Sequence, residues 1–285
     1  MTALNEPVKK NWIILFILLG FSLSNHLSTV FIIPGLIYLM FLQYKSNRLF
    51  TKKILPLVLL VIPGLLMYSV LVIASGSGPF LNWSDLQNVS NLFDHLRGAD
   101  YSQLMFSSTS KFGKNASDFF INLPGEMAII PLIFSVAGLV LLLKIFKSLF
   151  AFIIITILFN LLYAFNYNIV DINTYYLLVF LLLGLILPAG IIYLISFGNP
   201  AGVLAKADEP KRSLPKVIAV SLILVIFSAA YNFKECDNSG NYANADFTVN
   251  VINSVENNAV IISYDWAYLY SGSLYYQLAE KLRPD

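Results

Sequence analysis

The sequence predicts an all-α polytopic membrane protein, with about seven spans and a truncated α/β segment at its outside C-terminus. Only 12% of its 285 residues are charged, whereas soluble domains carry about a quarter. The mean hydropathy is +0.73. Apolar residues form blocks of about 17 to 25 residues, the length that crosses a hydrocarbon core. Because helices that are apolar on all sides belong in lipid, we expect the lipid bilayer as the first partner.

The first apolar stretch, residues 12–42, is too long for one span. As a single helix it would extend about 46 Å at 1.5 Å per residue, against a hydrocarbon core of about 30 Å. Its middle reads SLSNHLST, a polar interruption between Ser22 and Thr29. We therefore predict two short helices, 12–24 and 28–44, which form a broken hairpin and meet at Asn25 and His26.

Clear apolar segments follow along the chain. They predict spans at 54–75, 127–146, 149–166, 174–197 and 217–232. Together with the broken hairpin they define a transmembrane domain over residues 1–232. A polar and aromatic loop, 76–126, lies outside.

The distribution of charge supports this topology independently, because short loops rich in Lys and Arg stay in the cytoplasm. The predicted inside segments hold twelve of the eighteen basic residues: Lys9, Lys10, Lys45, Arg48, Lys52, Lys53, Lys144, Lys147, Lys206, Lys211, Arg212 and Lys216. Of the sixteen acidic residues, they hold Glu6, Asp208 and Glu209. A single helix at 12–42 would invert every later loop. We expect a bacterial inner-membrane protein with a cytoplasmic N-terminus and a periplasmic C-terminus.

The tail, residues 233–285, is predicted to begin a periplasmic or lumenal α/β domain. Residues 246–256 and 271–281 have helical patterns, and 259–263 reads AVIIS, a strand pattern. A lone strand has no ladder partner, and stable sheets need more strands or helix packing. We therefore expect the chain to be a piece of a longer protein.

Polar and aromatic residues at the outside face are candidates for binding a substrate. His26 and Asn25 lie at the helix break, where backbone must be buried in protein or line a wet cavity. In the loop, Trp83 and Tyr101 offer flat rings, and Asp85 and His95 can accept hydroxyl protons. Alternatively, His26 is a helix-end histidine and the loop residues belong to an interfacial aromatic belt.

Asp265 and Trp266 follow the predicted tail strand directly. The carboxyl end of a strand is where α/β folds place ligands, although Asp265 would also serve as a helix cap. The single cysteine, Cys236, excludes an internal disulfide. No phosphate-binding glycine loop and no basic nucleic-acid patch is present, so nucleic acid is not an expected partner. No cofactor is identified, and a divalent metal stays open.

Three segments resemble a family of bacterial membrane proteins that was long named only as a domain of unknown function. GFSLSNH at 20–26, with Leu27 and Pro34, is similar to the family's "GLslgnHl…P" helix break. PFLNWSD at 79–85, followed by Phe93, His95 and Tyr101, is similar to its "P-LNWGDP…F..H…Y" loop. NAVIISYDW at 258–266, through LRPD at 282–285, resembles its "nAilftngD…LrPDV" stretch. Ser84 and Leu86 depart from the Gly and Pro that the family usually has.

That family includes the animal endoplasmic-reticulum O-mannosyltransferase that modifies plexin-type extracellular domains. The resemblance implies a glycosyltransferase of the GT-C type, which transfers a sugar, such as mannose, from a polyprenyl-phosphate carrier to a protein or glycan acceptor on the outer face. It implies substrate-binding roles for Asn25, His26, Trp83, Asp85, His95, Tyr101, Asp265 and Trp266.

Members of the family also carry an Asp-x-Gly-Glu motif, an HPPGYP segment and a Glu-Val-Tyr motif upstream of the helix break, and this sequence contains none of them. We therefore expect a fragment that lacks the N-terminal catalytic loop. The acidic motif is expected upstream of Met1, so the catalytic residues are unknown, and whether Met1 is the natural start stays open. Two alternative functions also stay open: a transporter or flippase of lipid-linked saccharide, and an inactive membrane scaffold fragment.

Overall fold

The structure is a computed structural model that describes residues 6–80, 82, 85–169, 171–196, 198–199 and 210–283. Over these residues the protein is helical and contains no β-strand, and an isolated bridge joins Met105 to Tyr167. The described residues thus form an all-α membrane protein, as the sequence predicts for the transmembrane domain.

Helices α1 to α9, and the shorter helices between them, precede the tail. In order they are α1 (Glu6–Asn25), a 3₁₀-helix (Leu27–Ile32), α2 (Ile33–Ser46), a short helix (Arg48–Ile54) leading into α3 (Lys52–Gly76), α4 (Val89–Leu96), a 3₁₀-helix (Ala99–Leu104), α5 (Thr109–Glu126), α6 (Ile129–Ile145), α7 (Lys147–Phe165), a 3₁₀-helix (Ile172–Tyr176), α8 (Leu177–Ile195) and α9 (Pro210–Cys236). The tail adds α10 (Ala243–Ser254), a π-helical turn (Trp266–Tyr270) and α11 (Ser271–Leu278).

Within the described residues, five helices are long and apolar enough to cross a membrane, or six if the bent pair α5–α6 is one span. The five are Leu27–Ser46, Lys52–Gly76, Lys147–Phe165, Ile172–Ile195 and Val217–Cys236. The two further predicted spans correspond to shorter apolar helices, Lys10–Asn25 and the 17-residue α6. Seven spans therefore stays a prediction.

The helical chain is interrupted at the predicted place. α1 ends at Asn25, and His26 adopts an extended backbone (φ −153°, ψ 130°) before the 3₁₀-helix begins. Pro34 lies in the first turn of α2, where its missing N–H costs no hydrogen bond. The two arms then pack on different neighbours, α1 on α3 and α2 on α7, so each arm is supported by another helix.

Glycines set how closely these helices approach. A Cβ on Gly20 would lie 2.5 Å from the carbonyl oxygen of Val61, and one on Gly64 would overlap the backbone of Gly20. A Cβ on Gly35 would meet Thr156 Oγ1 at 2.8 Å. Small residues at such crossings let backbones pack directly, the main source of helix association in lipid.

The closest pair is α6 and α8. A Cβ on Gly138 would lie 2.5 Å from the carbonyl oxygen of Ile186. A Cβ on Gly190 would overlap the carbonyl oxygen of Phe134. Around this contact, α7 and α8 contribute most of the buried apolar cluster, which Phe119 of α5 joins from the loop. α6 is therefore held alongside α8, a candidate span.

The chain divides into two compact units, residues 1–228 and 229–285, and each is described by itself. In the second unit, α10 contacts α11 and the π-helical turn, and the Thr248 hydroxyl donates to the carbonyl of Tyr268 at 2.7 Å. The predicted strand, 259–263, is non-helical, exposed and unpaired among the described residues. The α/β character of the tail stays a prediction.

We expect Gly190→Ala to destabilise the α6–α8 contact by about 1–3 kcal/mol, because the added methyl group would force two backbones apart. The control is Gly184→Ala on the same helix, where a Cβ meets no atom within 4 Å. Unfolding in mixed micelles should show a loss of stability for Gly190→Ala only. Equal behaviour of the two variants would contradict this packing.

Candidate functional site

A cavity of about 710 Å³ opens beside the helix break, within the first unit. Its walls come from the break and the 3₁₀-helix after it, from α3, from the segment that follows α4, and from both sides of the α7–α8 connection. The lining residues are 24–28, 30, 31, Tyr68, 95–98, Tyr101, Ser102, Met105, Tyr163, Tyr167 and Tyr175. Four predicted site residues, Asn25, His26, His95 and Tyr101, are brought together here.

His26 caps the 3₁₀-helix and exposes its ring to the cavity. Its Nδ1 accepts the backbone N–H of Ser28 at 3.1 Å and lies 2.8 Å from Ser28 Oγ. A backbone N–H can only donate, so Nδ1 carries no proton in this arrangement. The neutral ring therefore holds its proton on Nε2, which leaves Nε2–H as a donor for a ligand.

The backbone freed by the break is satisfied by neighbouring polar groups. The carbonyl of Ser22 accepts from His26 N at 3.0 Å and from Thr29 Oγ1 at 3.2 Å. The carbonyl of Leu23 accepts from the Tyr68 hydroxyl at 2.7 Å. Irregular backbone at membrane depth requires such partners. Tyr68, a lining residue on α3, thus also holds the break in place.

Three tyrosines form an aromatic wall. The ring centroids of Tyr163 and Tyr167 lie 5.6 Å apart, and Tyr175 lies 5.9 Å from the first and 5.2 Å from the second. His26 meets Tyr175 edge-on at 6.2 Å. Burial, and then the neighbouring Tyr175, raises the pKa of Tyr167 well above its usual range. Its hydroxyl is therefore neutral at physiological pH and can donate a hydrogen bond.

The segment that follows α4 forms another wall of the cavity. Two backbone hydrogen bonds fix this segment against the α7–α8 connection. Phe106 N donates to Asn166 O at 2.9 Å, and Asn168 N donates to Leu104 O at 3.0 Å. Gly98, with φ +65°, turns the chain between α4 and the next 3₁₀-helix. This turn carries His95 on one side and Tyr101 on the other into the lining.

Arg97 brings a positive charge to the lining. Its guanidinium contacts Asp94 Oδ1 at 2.7 Å, with the Arg97 side chain 60% exposed. An ion pair this exposed contributes at most about 1 kcal/mol, so the guanidinium stays available to a stronger anion. Together with the Nε2–H of His26, it gives the cavity donors that suit a phosphate.

Asn115 of α5 supports the aromatic wall from behind. It is only 4% exposed, and its Nδ2 donates to the carbonyls of Phe165 and Tyr167 at 3.3 and 3.1 Å. The hydroxyl of Tyr176 donates to the carbonyl of Asn115 at 3.4 Å. α5 therefore fixes the turn that presents Tyr167 to the cavity.

Asp85 does not line the cavity. Its Oδ1 accepts from Asn82 Nδ2 at 2.9 Å and from Gln87 Nε2 at 2.8 Å, and its carbonyl accepts from Asn91 Nδ2 at 2.8 Å. Its backbone is left-handed, with φ +44°. Asp85 thus organises the loop before α4. Trp83 lies outside the described residues.

Asp265 and Trp266 belong to the second unit. Asp265 Oδ1 accepts the N–H of Tyr268 at 2.9 Å, and its carbonyl accepts that of Tyr270 at 3.0 Å. The sequence left two roles open for Asp265, helix capping and ligand binding, and these hydrogen bonds are those of a cap. Trp266 begins the capped π-helical turn.

The catalytic residue stays unassigned. The resemblance led us to expect an acidic motif upstream of Met1, and Met1 itself lies outside the described residues, which begin at Glu6. That expectation therefore stays a prediction. Over the described part of the chain, no three His, Cys, Asp or Glu side chains are placed to hold a metal ion.

Sequence reasoning did not single out Tyr68, Arg97, Tyr163 or Tyr167. The only local signal among these four residues concerns Tyr163 and Tyr167. They are one helical turn apart at the end of a predicted span, and Tyr175 follows just across a short connection.

No family model matches the chain, and neither a curated protein nor a solved structure is found to be similar to it.

We expect Asn115→Leu to lower stability by about 1–3 kcal/mol, because two buried carbonyls lose their donor. The control is Asn122→Leu, an exposed amide on the same helix. Thermal unfolding in detergent should separate the two variants. A stability loss for Asn122→Leu as large as that for Asn115→Leu would argue against the supporting role.

Proposed function

We propose that this chain forms the carrier-binding part of a GT-C-type glycosyltransferase, and that the cavity beside His26 binds the polar head of a polyprenyl-phosphate sugar. One observation carries the proposal. Two of the segments that resemble the glycosyltransferase family, 20–27 and 93–101, are far apart in the sequence but contribute His26, His95 and Tyr101 to one cavity. A volume of about 710 Å³ is within the range of small-molecule sites.

The lining suits each part of such a ligand. The Nε2–H of His26 and the guanidinium of Arg97 can donate charge-assisted hydrogen bonds to a phosphate. The tyrosine rings offer flat apolar faces to a sugar, and their hydroxyls offer polar edges. Leu27 and Val30, both exposed, continue the cavity onto the apolar surface of the helices, where a prenyl chain would lie.

In sugar transfer, an acceptor hydroxyl attacks the anomeric carbon, the bond to the carrier phosphate breaks, and the phosphate leaves with its negative charge. In this proposal, Arg97 and His26 stabilise that charge as it develops. The base that takes the hydroxyl proton is not assigned to a residue of this chain, because none of the described residues that line the cavity is Asp or Glu.

The proposal includes an orientation. With Lys45, Lys52 and Lys144 on the cytoplasmic side, the cavity opens on the periplasmic face of a bacterial inner membrane. A carrier lipid in the outer leaflet and a protein or glycan acceptor would then meet at the cavity.

A photoreactive polyprenyl-phosphate sugar, added to the chain in nanodiscs, tests this proposal. We expect His26→Ala and Arg97→Ala to lower specific labelling about tenfold, since one charge-assisted hydrogen bond contributes about 1.5–3 kcal/mol. Asp85→Asn, outside the cavity, is the matched control and should label like the unaltered chain. The labelled peptides should include residues 24–31 or 163–175.

Labelling that none of the variants changes would remove the cavity from the proposal. Movement of the intact lipid-linked sugar across sealed vesicles, without transfer to an acceptor, would favour the flippase. An absence of saturable labelling, with the protein folded, would favour the scaffold.

A further inference from the structure

We propose that α5 is an interfacial helix, which lies in the membrane–water boundary with Phe120 in lipid and Lys114 and Asp118 in water. The partner is thus the lipid surface at the level of the headgroups. This inference rests on geometry and exposure alone, and does not depend on the proposed sugar transfer.

The direction of α5 follows from its neighbour α6. The two helix axes meet at 108° across Met127 and Ala128, and Ala128 has a φ of +56°. α6 is uncharged up to Lys144 and packs along α8, a candidate span. Because spanning helices tilt only about 20° from the membrane normal on average, a helix at this angle to α6 runs close to the membrane plane.

One face of α5 is already occupied by protein. Phe112, Asn115 and Phe119, at helical spacing, face the buried cluster, and the Phe119 ring lies 4.7 Å from that of Tyr176 between centroids. The remaining surface of the helix is free to meet lipid or water, and its two sides differ in polarity.

The exposed surface is apolar on one side and polar on the other. Phe120 is 60% exposed, and Ile129 and Ile130 at the start of α6 are also exposed. Lys114, Asp118 and Asn122, spaced four residues apart and all exposed, form the polar side. At about 100° per residue, Asp118 lies about 160° around the helix from Phe120, whereas Ile121, seven residues after Lys114, borders the polar side. A helix with this division, lying in the plane, places its apolar side in the acyl boundary.

The two other placements each conflict with part of this pattern. If α5 and α6 formed one broken span, the charges of Lys114 and Asp118 would enter the hydrocarbon, which is costly without a partner. If α5 stood away from the membrane, Phe120 would face water directly beside the exposed isoleucines at the start of α6. The interface satisfies both sides at once. In this placement, α5 also holds the aromatic wall at the membrane surface through Asn115.

Spin-label accessibility in nanodiscs tests the placement. Single cysteines at Phe120, Lys114 and Asp118, in a Cys236→Ser background, would each carry a nitroxide, with Ile133→Cys on α6 as the bilayer reference. We expect the label at 120 to be reached by oxygen and protected from a water-soluble nickel chelate, at about 5–10 Å below the headgroups. Labels at 114 and 118 should show the reverse.

Both contrasts are required. Equal access of the nickel chelate to positions 118 and 120 would place α5 outside the membrane and overturn the proposal. Protection at 114 and 118 as strong as at 133 would identify a broken span and overturn it equally. Since all three positions on α5 are exposed, size-exclusion profiles matching the unaltered chain should show that each labelled variant is folded.

Discussion

The backbone at His26 leaves the helical conformation inside an apolar segment, and in lipid every freed polar group needs a partner. His26 Nδ1 accepts the backbone N–H of Ser28, the Thr29 hydroxyl donates to the carbonyl of Ser22, and Tyr68 reaches across from α3 to the carbonyl of Leu23. The same geometry that satisfies the break also exposes the Nε2 side of the His26 ring. A local requirement of the membrane environment thus produces the donor around which the cavity is arranged.

The opposite wall depends on contacts made outside the spans. Backbone hydrogen bonds between 104–106 and 166–168 join the segment after α4 to the α7–α8 connection, and Asn115 fixes the carbonyls of Phe165 and Tyr167. Tyr167 and Tyr175 are therefore presented by a turn that α5 supports. An interfacial α5 would couple the level of the membrane surface to the shape of the cavity.

Much of this architecture could be predicted from the sequence, because hydropathy blocks and the polar interruption at His26 are local signals. The separate packing of α1 and α2 could not be predicted, since it depends on which glycines meet in space.

Tyr163 and Tyr167 were missed because a tyrosine at a span end resembles an ordinary interfacial aromatic. Asp85 lies in a segment that resembles a family motif, but its hydrogen bonds organise its own loop. The tail residues 259–263 have a strand pattern, yet a strand exists only when another strand pairs with it.

The central claim is that the helix break forms a site for the phosphate of a lipid-linked sugar. An electron cryo-microscopy map of the protein in nanodiscs, bound to an antibody fragment and saturated with a polyprenyl-phosphate sugar, tests it most directly. The account predicts phosphate density within about 2.7–3.2 Å of His26 Nε2, with the sugar against the tyrosine wall. Carrier density at another surface, with the cavity beside His26 empty, would contradict it.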